Sequence, residues 1–108
     1  MSDVMADSES IDALYQLAVD DLARQALAYS KDKILDLPDD ETLIFTIAGQ
    51  QVSGWMRHVK WSDSLHHVVF SLTRKTWLVV YKLYLGGIKL DSGNQVSLLT
   101  NDELADYD

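Results

Sequence analysis

The sequence predicts an α+β fold, in which an N-terminal amphipathic helix packs on a curved antiparallel β-meander of five or six strands. Two observations carry this. Apolar residues recur at helical spacing between Ile11 and Tyr29. After Pro38 the composition turns to β-branched and aromatic residues, in alternating runs divided by Gly, Ser, Asp and Asn. A chain of 108 residues is long enough to bury one core without disulfides or a structural metal. The expected organisation is a disordered acidic lead-in over residues 1–9 and a single α+β domain over 10–108.

Ser10 is the expected N-cap of the helix, with Asp12 at the positive end of its dipole. Ile11, Leu14, Tyr15, Ala18, Leu22, Ala26 and Tyr29 then form one apolar stripe. Asp20, Asp21, Arg24 and Lys31 face away from it. A second short helix is expected over Lys31–Leu37, stopped by Pro38.

Strands follow over Thr42–Ile47, Gln51–Trp61, His66–Thr73 and Trp77–Leu85. Ala48-Gly49-Gln50, Ser62-Asp63-Ser64 and Arg74-Lys75-Thr76 are the expected connections. On the second strand Trp55, Arg57, Val59 and Trp61 oppose Met56, His58 and Lys60, because side chains alternate across a strand. Gly86-Gly87 reads as a bend or bulge. A last hairpin pairs Ile88–Leu90 with Gln95–Leu99. Thr100 and Glu103 have capping-box spacing, which predicts a final helical turn.

Charge is sorted along the chain. Residues 1–41 carry eleven carboxylates and three bases. Residues 57–89 carry Arg57, Lys60, Arg74, Lys75, Lys82 and Lys89 against one acid, Asp63. Residues 90–108 carry five acids and no base. The net charge of −8 therefore sits at the two ends, and such segregation steers partners of opposite sign. An acidic balance predicts no nucleic-acid partner. No apolar run approaches the roughly 20 residues of a bilayer span, and Met1–Ser10 lacks the pattern of a signal peptide. The expectation is a cytoplasmic protein with no membrane partner.

Catalytic chemistry finds no residue set. There is no cysteine, so zinc would have only His and carboxylate ligands. His66 and His67 are adjacent and point to opposite strand faces, and His58 can join at most one of them. No metal site and no cofactor is expected. There is no Gly-x-Ser-x-Gly elbow and no phosphate-binding glycine loop. Asp20-Asp21, Asp39-Asp40-Glu41 and Asp102-Glu103 sit at surfaces, caps and turns, where solvation keeps both members ionised rather than splitting them into acid and base. A binding protein, not an enzyme, is the expectation. Its partner is a basic protein. The candidate contacts are Asp20 and Asp21 on the helix, Asp102, Glu103, Asp106 and Asp108 in the tail, and the aromatics Trp55, Trp61 and Trp77.

The small acidic single domain with its Asp-Glu-Leu-Ala-Asp-Tyr-Asp tail resembles bacterial toxin immunity proteins. The resemblance implies neutralisation of a secreted toxin, often a nuclease, by acids that stand in for nucleic-acid phosphates. Gln50-Gln51-Val52-Ser53-Gly54 is similar to the Gln-x-Val-x-Gly loop of cystatins, and the element order also fits. That likeness implies a cystatin-like topology and a cysteine-protease inhibitor, with a later turn bearing Trp77. A third reading is a cone-shaped α+β domain holding a small ligand or an enzymatic site between helix and sheet.

Overall fold

The computed structural model describes residues 4–108, with side chains from Ser10 onward. Helix α1 spans Val4–Ala26 and α2 spans Lys31–Leu35. Five antiparallel strands follow in sequential order: β1 Asp40–Ile47, β2 Gln50–Ser62, β3 Leu65–Trp77, β4 Val80–Leu90 and β5 Val96–Leu98. A short helix α3, Asn101–Leu104, and a 3-10 turn, Ala105–Tyr107, complete the chain. The α+β class and the meander are as expected.

Helix α1 starts earlier than expected. Ser10 lies inside it rather than at its cap, and residues 4–9 of the expected lead-in are helical. Residues 1–3 lie outside the described residues. Ser30 caps the next helix: its hydroxyl accepts from the Lys33 amide at the start of α2.

The buried stripe of α1 is Val19, Ala23 and Ala26, with Tyr15, Ala18 and Leu22 half-buried beside it. Ile11 and Leu14, expected in the stripe, are exposed. The helix is rotated from the expected phase because Asp12 faces the sheet. Its carboxylate accepts from Arg74 of β3 and from Lys82 and Tyr84 of β4. A polar residue on the sheet-facing side is invisible to a count of apolar positions.

Val68, Phe70 and Leu72 of β3 and Ile88 and Leu90 of β4 meet this stripe, with Met56 and Ile34 closing one end. Gly86 lets the helix sit close. A Cβ there would lie 3.1 Å from the Val19 carbonyl oxygen, tighter than backbone atoms yield. Two openings lie between α1 and the sheet: one of about 90 Å³, lined by Leu22, Tyr29 and Phe70 among others, and one of about 350 Å³ along the edge of β4, lined by Gln16, Ala23, Gly86 and Leu99 among others.

Two strand boundaries differ from expectation. Arg74-Lys75-Thr76 is not a connection: β3 runs on to Trp77, and the turn is Leu78-Val79. The bases read as loop residues are strand residues, one of them held by Asp12. Nor does Gly86-Gly87 divide β4, since Ile88–Leu90 continues the same strand. The β1–β2 turn, Ala48-Gly49, has φ of +51° and +78°, the left-handed pair that a two-residue hairpin requires. The capping box at Thr100 and Glu103 is formed as expected, each backbone amide bonded by the other's side chain.

A candidate binding face on the open side of the sheet

Alternation gives the sheet two unlike faces. Met56, His58, Phe70 and Tyr84 point toward α1, so Trp55, Arg57, Val59 and Trp61 point away from it, together with His67, Val69, Ser71, Leu83 and Leu85. Among the described residues no second layer covers this far face, and only the C-terminal tail crosses part of it. Leu99 packs over Gly87, where a side chain would collide with its Cδ1 at 2.9 Å. Lys89 binds Glu103 at 2.8 Å. Tyr107 reaches Trp61 and His67.

The tail is held by a three-membered polar cluster. Trp61 Nε1 donates to His67 Nδ1 at 3.0 Å and to the Tyr107 hydroxyl at 2.8 Å. The Tyr107 hydroxyl donates onward to His67 Nδ1 at 2.8 Å. An indole N–H can only donate, so this arrangement needs His67 neutral, with Nδ1 as acceptor. Burial pushes the His67 pKa below its ordinary value, which favours that form. Burial likewise raises the pKa of the Tyr107 hydroxyl, so it stays a donor. The Lys89 ammonium, with the Thr100 amide, lowers the Glu103 carboxyl to about 2.

Beside Tyr107 the uncovered face forms a trough of about 480 Å³. Trp55, Ser71 and Leu85 lie in one row across β2, β3 and β4, and Arg57 and Val69 in the next. Asp40, the cross-strand neighbour of Arg57, closes the β1 side, and Tyr107 the tail side. The wall is mainly apolar, with one guanidinium and one carboxylate. It can hold an aromatic or aliphatic side chain and hydrogen-bond polar groups at its ends. It offers no nucleophile with an adjacent base.

The expected partner contacts distribute unequally around this face. Asp106 is near enough to bear on the pKa of both His67 and Tyr107. Asp108 lines an adjoining groove with Leu83, Leu85 and Leu104. Asp102 is exposed, whereas Glu103 is spent on Lys89 and on the cap. On the helix, Asp21 is paired with Arg24 and Asp20 accepts from Gln16. Gln16 also donates to the Leu85 carbonyl, so Asp20 and the tail acids flank the same edge of β4. The three tryptophans do not form one surface. Trp55 lines the trough, Trp61 braces the tail, and Trp77 stands at the end of the β3–β4 hairpin, roughly 20 Å along the strand from Ser71. Sequence reasoning named Tyr107 only as part of the tail and missed Arg57 and Asp40 as neighbours. Their pairing register was the missing signal.

On the helix-facing side His58 Nε2 lies 2.8 Å from His66 Nδ1, and His58 Nδ1 lies 3.1 Å from the Leu37 carbonyl. The two-histidine contact matches expectation. Among the described residues no third His, Cys, Asp or Glu completes a metal-binding group. No helix among them is long and apolar enough to cross a membrane. Gln50–Gly54, the cystatin-like segment, is the first part of β2, with Gly54 buried 2.6 Å from Phe45 when a Cβ is placed on it. No protein-family model, no curated protein and no solved structure matches the chain.

Proposed function

We propose that this chain is a small binding protein that captures a basic protein partner on the open sheet face, and that it neutralises that partner as a toxin-immunity protein does. The observation that carries the reading is the trough itself. An exposed tryptophan and a tyrosine line an apolar depression, and acids stand on both flanks: Asp40 on one side, Asp106 and Asp108 on the other. Aromatic anchors in a depression with a charged rim are the usual anatomy of a protein interface. The rim acids would steer a cationic surface, and Trp55 would supply the buried contact. Arg57 beside Asp40 would fix orientation by donating to one carboxylate or carbonyl oxygen of the partner's loop.

The long helix laid across a sequential antiparallel sheet supports calling the topology cystatin-like. Protease inhibition draws no support from the matching segment, because Gly54 is packed inside rather than presented in a loop.

The test uses the immobilised chain to recover its partner from the native host at low salt. The recovered protein should be basic, and its toxicity in cells should vanish when the chain is co-expressed. Trp55→Ala, and separately the Asp106→Lys/Asp108→Lys pair, should each weaken binding by about tenfold or more. Asp20→Lys/Asp21→Lys should cost less, since both acids already have intramolecular partners. An acidic or harmless partner, or unchanged affinity in the first two variants, overturns the reading.

A further inference from the structure

The β3–β4 hairpin ends in five consecutive apolar residues, Trp77-Leu78-Val79-Val80-Tyr81, and all five are exposed, from 52% at Val80 to 84% at Val79. Contiguous apolar surface of this kind marks a contact site. The turn is also built against backbone preference. Leu78 adopts φ +38°, a region that suits glycine or asparagine and strains a bulky apolar residue. Strain retained at an exposed turn points to a use for the side chain that causes it.

The order of residue types away from the apex selects the partner. Leu78 and Val79 form the apex. Trp77 pairs with Val80, then Lys75 with Tyr81, then Arg74 with Lys82. Aliphatic, aromatic and basic side chains thus follow one another as the hydrocarbon, interfacial and headgroup layers of a bilayer leaflet do. From Val79 to Lys82 the strand rises roughly 10 Å, about the depth an interfacial element reaches.

We propose that this hairpin tip dips into one leaflet of a lipid membrane. Leu78 and Val79 enter the acyl boundary, Trp77 and Tyr81 sit at the interface, and Lys75 contacts anionic headgroups. Arg74 and Lys82 are held by Asp12, whereas Lys75 forms no ion pair among the described residues. A dipping hairpin needs no spanning segment, so the expectation of no membrane partner, drawn from the lack of one, does not bear on it. With a net charge of −8 on the chain, the apolar apex must supply most of the binding and Lys75 only a supplement.

The experiment is co-sedimentation of the full chain with vesicles of phosphatidylcholine alone and of phosphatidylcholine mixed with phosphatidylserine. The chain should sediment with both, more tightly with the mixed vesicles. Leu78→Asp/Val79→Asp should lose about tenfold or more on both, given the apolar area withdrawn. Lys75→Glu should weaken binding to the mixed vesicles alone. Leu78→Asn relieves the turn, so it should keep or raise the melting temperature while still losing vesicle binding. That separates a lost contact from a lost fold. Failure of the chain to sediment with either vesicle, equal sedimentation of the double variant, or capture of a protein by the tip without any vesicle binding overturns the proposal.

Discussion

Asp12 of α1 and Arg74 of β3 form an ion pair with Nη2 and Oδ1 2.5 Å apart, and this pair sets the rotation of the helix on the sheet. Lys82 takes the other carboxylate oxygen at 2.5 Å and Tyr84 shares the first. Lys82, Tyr84 and Arg74 together hold the Asp12 carboxyl well below the usual carboxylate range. The cluster lies at the far end of the sheet from the tail, so it fixes the helix where the hydrophobic core thins out.

Asp12→Asn should therefore lower the melting temperature more than Asp21→Asn, whose partner among the described residues is the exposed Arg24. Thermal melts of the two variants, at low and high salt, measure this. Equal effects would mean that the helix is held by packing alone.

The phase of the helix gives a second expectation. Leu72 has no exposed surface and sits under Val19, whereas Leu14 is 42% exposed. Leu72→Ala should cost about 2–5 kcal/mol. Leu14→Ala should stay within about 0.5 kcal/mol. Denaturant melts that reverse the order would put the stripe back where apolar spacing alone places it.

Gly54 is a packing residue rather than a loop residue. A Cβ there would lie 2.6 Å from both Phe45 Cε1 and the Ser71 carbonyl oxygen, and the backbone oxygen cannot swing aside. Gly54→Ala should cost about 1–3 kcal/mol. A neutral substitution in calorimetry would show that β1 and β3 can both give way around Gly54.

His67 in the tail cluster and His66 on the helix-facing side both make stability depend on pH. Burial holds the pKa of His66 and of His67 below the ordinary 6.5, so the unfolded chain binds these protons more tightly than the folded one. Their contribution is fully present above about pH 6.5 and is lost as pH falls from there through the depressed folded values. Glu103, lowered to about 2 from 4.5, adds a separate loss between those values as acid is added. Urea midpoints should fall from about pH 8 to about pH 5, and His67→Gln should flatten part of that slope. A midpoint constant over this range would contradict a neutral, accepting His67.

Much of the fold was legible because its strands alternate cleanly and its caps obey local rules: Met56 against Trp55, and Thr100 with Glu103, follow from neighbouring residues alone. The two errors in the sheet have one origin. Arg74-Lys75-Thr76 reads as a connection because it is a polar stretch between two apolar runs, but a carboxylate on a distant helix holds Arg74 within the strand. The real turn at Leu78 carries no glycine or asparagine to announce it. The binding face was legible only in part. Alternation puts Trp55 and Arg57 on one side, yet the placing of Tyr107 against Trp61 and His67 joins residues about forty positions apart. No local pattern encodes it.

The sequential strand order also dictates how the chain assembles. Every strand pairing joins neighbours in sequence through a connection of a few residues, so each closes at little entropic cost. The contacts of α1 with β4 are the large closure, spanning 70 residues at Asp12 and Lys82. The hairpins can zip in succession, and the helix docks onto a sheet already formed. Val19→Ala should then speed unfolding while leaving the folding rate almost unchanged, the kinetic signature of a contact made after the barrier.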